Sequence, residues 1–281
     1  MDIKVYNKAL NKDVADNLIK LIKSRTGLEN VDDSLCEKKI TEFLKSNRKA
    51  LQKLSSAENF KRISRSKEVD SVVKYARSRL RPMYGLFLNK DTSKIKEMLK
   101  KGENGINDVL FMHVSSGERM KFYEEFYKRM FEVTGKPESI IDIACGLNPM
   151  SFEMMNIPKK TRYIALELNQ NDADNINQFF SIWKIDGEAF KHDITKEPIR
   201  YKADIAFAFK IFDIIDSKIV ERIIDELDVK WIAASFSTKT VSRSNMRFKR
   251  RAGFQKMLRR LGLKYQTIDF ENEIVYLIEK V

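Results

Sequence analysis

The residues best placed to do chemistry follow two short apolar runs. Ile140 to Ala144, with Asp142 inside it, stops abruptly at Cys145-Gly146-Leu147-Asn148-Pro149. A buried parallel strand ends in this way where the backbone must turn sharply. Open α/β sheets bind ligands just beyond the carboxyl ends of their strands, at such turns. Gly146, with no Cβ, lets the main chain come close to a ligand. A second run, Tyr163 to Leu166, ends at Glu167. A carboxylate about 20 residues after the first turn is the group that holds a ribose in dinucleotide folds. Strand, glycine turn and ribose-type carboxylate together suggest an adenosyl cofactor. The phosphate-binding patterns G-x-G-x-x-G and G-x-x-x-x-G-K-[ST] are absent, which argues against NAD and ATP. S-adenosyl-L-methionine remains, because its methionine end carries no phosphate. An ordinary strand-to-helix turn that binds nothing fits the same residues. Cys145 invites reading as a nucleophile, but its place in the turn favours a packing role.

The elements that must position these groups are readable from periodicity. Strands are expected at 139–144, 162–167, 187–191, 203–209, 230–236, 263–270 and 273–279, separated mostly by helix-length segments. That alternation implies a parallel sheet covered on both faces. The tight link Glu271-Asn272 makes the last two strands an antiparallel hairpin. An α/β chain with a mostly parallel, seven-stranded, Rossmann-like sheet closed by such a hairpin resembles the class I methyltransferases. A helix over Glu118 to Val133 leads into the first strand.

Upstream, residues 1–105 read as helices. Val14, Leu18, Ile19, Leu21 and Ile22 form one apolar stripe, ending near Gly27. A second helix is expected over Asp33 to Ser46. A third follows Ser66 and carries Val69, Val72, Val73, Ala76 and Leu80, with Pro82 near its end; a short fourth, capped by Thr92 or Ser93, carries Ile95 and Leu99. Gly102 to Asn107 marks the expected boundary between a basic, RNA-binding helical domain (1–105) and an S-adenosylmethionine-binding domain (106–281).

Net charge is +13, with 33% charged and 43% apolar residues. Its distribution says more than its size: residues 1–100 carry 24 Lys+Arg against 13 Asp+Glu, and Ser237 to Ile268 carries ten basic residues and no acid. Two basic blocks flanking a non-basic core suit a polyanion. Arg62, Arg65, Arg77, Arg79 and Arg81, on the third helix and its approach, and Lys239, Arg243, Arg247, Lys249, Arg250 and Arg251 are the expected RNA-backbone contacts. A charged surface kept for solubility explains the same residues more blandly. No segment reaches the 18 or so apolar residues of a membrane span, and the N-terminus lacks the apolar core of a signal peptide. Cys36 and Cys145 stand far apart and His113 and His192 are the only histidines, so no disulfide framework or metal site is expected and a reducing cytoplasm fits. Nothing calls for more than a monomer.

A family resemblance then becomes specific. Asp142-Ile-Ala-Cys-Gly-Leu-Asn-Pro149 resembles the cofactor loop, Asp-x-Gly-Cys-Gly-x-Asn-Pro, of the aminoglycoside-resistance 16S rRNA guanine-N7 methyltransferases. His113-Val-Ser-Ser-Gly-Glu-Arg119, Phe207-Ala-Phe-Lys210, Ser235-Phe-Ser-Thr-Lys239 and Asn272-Glu-Ile-Val-Tyr276 resemble further segments of that family in order and spacing. The likeness covers about residues 110–281. Two departures stand out. Ala144 replaces the family's usual glycine, and Val241-Ser-Arg-Ser-Asn-Met246 replaces the glycines after the Ser-Phe segment, where the target base would lie.

The resemblance implies roles that the residue chemistry supports. Arg119 would grip the methionyl carboxylate bidentately. Gly146 and Ala144 line the loop, and Asp142 orients the cofactor through the loop or a water. Glu167 accepts from the ribose hydroxyls beside Leu168; Asp193 accepts from the adenine amino group, with Ile194 on the ring. His113, Phe209 and Lys210 complete the cofactor set, with Lys210 either facing the pocket or reaching solvent. Asn148, at the pocket mouth, would hydrogen-bond an extruded base. Guanine N7 carries a free lone pair, so alignment suffices and no general base is needed; no metal is implied. The expected partner is small-subunit rRNA, or the 30S subunit. Two alternatives stay open: methylation of another RNA or base, and a non-catalytic RNA-binding or ribosome-assembly factor on a methyltransferase shell.

Overall fold

The computed structural model describes residues 3–25, 28–29, 31–81, 95–239 and 251–280. The chain divides into two compact units, Met1–Ser93 and Lys94–Val281. The stretch Gly102 to Asn107, expected to separate domains, belongs instead to the second unit: Gly102 (φ 69°) is the N-cap of a helix over Glu103–Leu110. A glycine beside asparagines starts a helix as readily as it ends a domain.

Among the described residues of the first unit, a hairpin of two-residue strands, β1 (Lys4–Val5) with β2 (Lys8–Ala9), precedes the α-helices α1 (Lys12–Lys23), α2 (Asp33–Ser46), α3 (Arg48–Ser55) and α4 (Lys67–Leu80). Their starts follow local chemistry. The side chains of Asn11, Asp32, Asn47 and Ser66 each accept a hydrogen bond from a backbone N–H of the first turn. Their apolar stripes meet inside, where Val14, Leu18, Ile40, Leu44, Leu54 and Val72 are fully buried. Gly27, Pro82, Thr92 and Ser93, expected near helix ends, lie outside the described residues.

The second unit opens with α5 (Ile95–Leu99), α6 (Glu103–Leu110), α7 (Val114–Arg119) and α8 (Tyr123–Thr134). The single helix expected over Glu118 to Val133 is thus broken directly after Arg119, whose guanidinium is drawn to a buried carboxylate on the last strand. Seven strands follow: β3 (Ser139–Ile143), β4 (Arg162–Glu167), β5 (Gly187–Lys191), β6 (Lys202–Phe209), β7 (Asp228–Ser237), β8 (Lys264–Asp269) and β9 (Glu273–Glu279). Their order is β5-β4-β3-β6-β7-β9-β8. The first five pair in parallel, and β9 runs antiparallel to both β7 and β8. Helices α9 (Gln170–Trp183), α10 (Ser217–Glu226) and α11 (Ala252–Arg260) supply the connections.

Two apolar cores cover the faces of the sheet, one around Phe126, Tyr127, Phe152, Tyr163, Phe179 and Phe207, the other around Ile141, Leu166, Ile224, Phe236, Phe254 and Tyr276. Central strands buried on both sides read as unbroken apolar runs, which is why β3 and β9 are legible in the sequence. The chain leaves β3 toward β4 and β5, then crosses back to β6. Strand order therefore reverses between β3 and β6, where open α/β sheets form their ligand crevice.

Candidate cofactor site

Both loops at this reversal carry residues in the left-handed region. After β3, Ala144 has φ 50° and Gly146 φ 53°; after β6, Lys210 has φ 61°. Such backbone costs an alanine or a lysine on the order of 1–2 kcal/mol, and it persists where surrounding bonds over-determine it. Those bonds are visible. Cys145 N–H donates to Leu166 O at 3.1 Å, Gly146 N–H to Glu167 Oε2 at 2.9 Å, and Lys210 N–H to Ser235 O at 2.9 Å. Gly146 has a second reason to be glycine: a Cβ there would stand 3.1 Å from His113 Nε2. His113 thus wedges the N-cap of α7 against the cofactor-type turn. Burial, with Arg119 and Lys210 nearby, pushes its pKa down to about 3, so the ring is neutral and no proton donor at ordinary pH.

Glu167, at the end of β4, accepts backbone N–H groups from Gly146 and, at 3.0 Å, from Asn169. Burial raises its pKa while those donors hold it down. Beside it, Asp172 in the first turn of α9 accepts from Asn169 Nδ2 at 2.9 Å; burial and Glu167 push its pKa up to about 7. Leu168 is half-buried between them. Asp193 closes a turn, accepting from Thr195 N–H at 3.1 Å and Thr195 Oγ1 at 2.5 Å, and Ile194 is buried next to it.

Arg119 is 1% exposed, and its Nε and Nη2 clamp the two carboxylate oxygens of the fully buried Glu273. Its guanidinium carbon lies 5.0 Å from the centre of the Phe126 ring and 4.7 Å from that of Phe209. Lys210 is buried and does not reach solvent: its Nζ donates to Glu118 Oε2 at 2.6 Å and lies 3.6 Å from Glu273 Oε2. Two cations and two carboxylates therefore share one charge-balanced cluster, as burial demands. Sequence reasoning passes over Glu273 as a functional group although its segment stands out. An acid opening an otherwise apolar strand is the signal that could have found it.

Asn148 corrects the expectation of a base contact. It is not at a pocket mouth but 3% exposed, the first residue of a 3-10 helix over Asn148–Met155 with Pro149 next. Its Nδ2 donates to Asp142 Oδ2 at 2.8 Å, and its Oδ1 accepts from Tyr127 OH at 3.1 Å and Tyr123 OH at 3.3 Å. The turn carries the amide inward, where a buried carboxylate and two hydroxyls engage it. Asp142 also accepts from Tyr163 OH at 2.6 Å, yet its Oδ1 has no hydrogen-bond partner among the described residues. Burial pushes the Asp142 pKa up to about 7 against the pull of Tyr163, Asn148 and Arg119.

Two expected RNA contacts do something else. Arg77 donates to Leu21 O, to Ile22 O at 3.4 Å and to Ser24 Oγ at 3.1 Å, satisfying carbonyls at the end of α1. Arg251 clamps Asp213 bidentately at 2.8 and 2.7 Å and donates to Ser237 O at 2.9 Å. Each looks available in the sequence because its partner is remote along the chain. Arg65, Arg79 and Arg81 are exposed, Arg62 is exposed beside Glu58 at 2.5 Å, and Lys239 lies 3.6 Å from Glu271. Arg243, Arg247, Lys249, Arg250 and the Val241–Met246 loop lie outside the described residues.

The ribosomal RNA methyltransferase (FmrO) family model matches residues 56–277 of the chain. The chain belongs to that family. Among its relatives, the 16S rRNA (guanine(1405)-N(7))-methyltransferase of Micromonospora echinospora is 22% identical over 76% of this FmrO-family chain and 84% of its own length. The enzyme of the same description from Frankia casuarinae is 22% identical over 62% of the chain, and the chain spans 64% of that protein. Among solved structures, the 16S rRNA methyltransferase RmtF in complex with S-adenosyl-L-homocysteine aligns over 97% of this chain and 100% of its own. Its TM-score is 0.70 at 18% identity, which shows a shared fold. The class I methyltransferase architecture expected from strand spacing is the one observed.

Proposed function

We propose that the chain is an S-adenosyl-L-methionine-dependent methyltransferase of 16S rRNA, acting on guanine N7. The observation that carries this reading is the family match across most of the chain, joined to a site at the strand-order reversal whose groups suit that cofactor. The fit rests on three features: the buried Asp142 Oδ1, without a partner among the described residues; the glycine turn at φ 53°; and two carboxylates, Glu167 and Asp193, at the ends of β4 and β5. The bound cofactor would supply an electrophilic methyl group on a sulfonium.

The chain's own residues bind and orient. Arg119, held by Glu273 along its Nε–Nη2 edge, is the cation proposed to meet the cofactor's carboxylate. Asp142 presents its open oxygen to a cationic or N–H donor. Glu167 and Asp193 are the carboxylates proposed to meet the hydroxyl and amino donors, with Leu168 and Ile194 as apolar neighbours. Guanine N7 needs no proton removed, which agrees with a site whose His113 stays neutral and whose Cys145 thiol is raised well above its ordinary pKa by burial. Catalysis then lies in alignment within a dry site. The helical unit and the basic block around Lys239 are proposed to hold folded rRNA on an assembled small subunit, as phosphate contacts that position without reading sequence. No helix among the described residues is long and apolar enough to cross a membrane. The test is transfer of a labelled methyl group to 30S particles, with mass spectrometry of the rRNA fragments. A label confined to one guanine of 16S rRNA is the expected result; no label on the 30S particles, with or without label on purified tRNA offered in parallel, overturns the reading.

A further inference from the structure

Beneath the β3 turn lies a closed polar network that substrate handling does not explain. Asp142 Oδ2 accepts from Tyr163 OH on β4 and from Asn148 Nδ2. Asn148 Oδ1 accepts from Tyr127 and Tyr123, neighbours one turn apart on α8 whose rings stack at 5.7 Å. Ser151 Oγ lies 2.7 Å from both Tyr127 OH and Asn148 O, closing the loop. All six residues are buried. So many satisfied groups surround one open oxygen, Asp142 Oδ1. The network fixes Asp142 through one of its oxygens and keeps the other available.

We propose that Asn148 is a positioning residue for the cofactor: through its bond to Asp142 it holds that carboxylate ionised and aimed, and it does not touch the target base. This rests on the methyltransferase reading above. An amide is the group that can do this. It donates to the carboxylate on one side and accepts from the tyrosine hydroxyls on the other, whereas Asp or Leu at this place loses the donor.

The charged and titratable groups around Asp142 define the expected pH behaviour. Arg119 from α7 and the hydroxyl of Tyr163 favour the carboxylate, as does Asn148; burial and Glu167 on β4 oppose it. Tyr127 and Cys145 are both raised well above their ordinary values, so neither adds charge near neutrality. With the Asp142 carboxyl pushed up to about 7, ionisation is incomplete at neutral pH and each donor counts. Cofactor affinity in the native chain should therefore climb as pH rises through about 7 and level off above it. Removing the Asn148 donor raises the Asp142 pKa further and moves that climb to higher pH.

The experiment is calorimetric binding of S-adenosylhomocysteine to the full chain without RNA, between about pH 6 and pH 9, a range that brackets the Asp142 midpoint. Asn148→Asp keeps the acceptor for Tyr123 and Tyr127 but removes the donor and adds a like charge. Its affinity should fall about tenfold or more near neutrality and recover toward the alkaline end, the midpoint moving up by about one pH unit. Once the cofactor saturates, the KM for 30S particles should stay unchanged. An unmoved midpoint overturns the proposal, as does a variant whose KM for 30S rises while cofactor binding is untouched, the mark of a base contact. Should Asn148→Asp fail to fold, Tyr127→Phe removes the hydroxyl that bonds the amide and meets Ser151 Oγ, leaves the Asn148 donor in place, and should move the midpoint the same way by less; no movement there overturns it too. If the native chain binds no S-adenosylhomocysteine at any pH, the methyltransferase reading itself has failed.

Discussion

Replacing Asp142 by asparagine should stabilise the free protein and abolish its cofactor binding, and the two effects should separate by pH. A carboxyl with an ordinary pKa of 3.8 is pushed up to about 7 by burial in the native state. A tenfold change in a proton's binding constant is worth about 1.4 kcal/mol, so holding the ionised form inside costs on the order of 4 kcal/mol at high pH. The sign follows from proton counting. Between about 4 and 7 the unfolded chain has lost this proton and the native one keeps it, so this group's contribution to stability declines as pH rises. An asparagine side chain would remove that cost but leave an unpaired amide N–H₂ where one carboxylate oxygen stood, a loss of about 1–3 kcal/mol. Asp142→Asn should therefore gain roughly 1–3 kcal/mol at about pH 8.5 and about 2 kcal/mol less at about pH 5.5, where only about half of that cost has built up. Urea denaturation of the cofactor-free protein at both pH values, with m compared to exclude a change of denatured state, measures it. Calorimetry with S-adenosylhomocysteine supplies the functional arm. Equal destabilisation at both pH values would show that Asp142 is a neutral structural residue, and unaltered cofactor affinity would remove it from the site.

Two further outcomes follow from particular residues. Ala144 sits at φ 50°, so Ala144→Gly should relieve backbone strain and raise stability by up to about 1 kcal/mol after the entropy of glycine in the unfolded chain is counted, with cofactor affinity equal or tighter; a urea midpoint below the parent's would count against this. Among the cations, neutralising exposed Arg79 and Arg81 should flatten the salt dependence of 30S binding, each lowering the slope by about one at most, whereas Arg77→Ala should chiefly lower the melting temperature, since its guanidinium caps α1; filter binding at several salt concentrations with parallel melts separates the two effects.

Much of the architecture is legible because it is local. Apolar runs with abrupt endings mark β3, β4 and β9 to within a residue or two, since strands buried on both faces admit little else. The turn at Gly146 and the carboxylate at Glu167 are likewise readable, being set by backbone requirements within one βαβ unit. The break between α7 and α8 is not: nothing in the residues around Met120 forbids a helix, and Arg119, the last residue before the break, has its partner Glu273 far away on β9. Asn148 is misplaced by sequence reasoning on the same ground. Asparagine before proline reads as a surface turn, and only the approach of α8 and β4 supplies the tyrosines that take it inside.

Residue order alone determined the sequence of strands and helices, the caps that start them and the glycine turn after β3, because each depends on neighbours a few positions apart. It also set the two basic blocks. Tertiary structure alone decided which charges are available. Arg119 meets Glu273 across 154 positions, Lys210 meets Glu118 across 92, and Arg77 caps a helix some 55 residues earlier. A charged side chain's role is fixed by the dielectric and the partners around it, and those are properties of the folded chain.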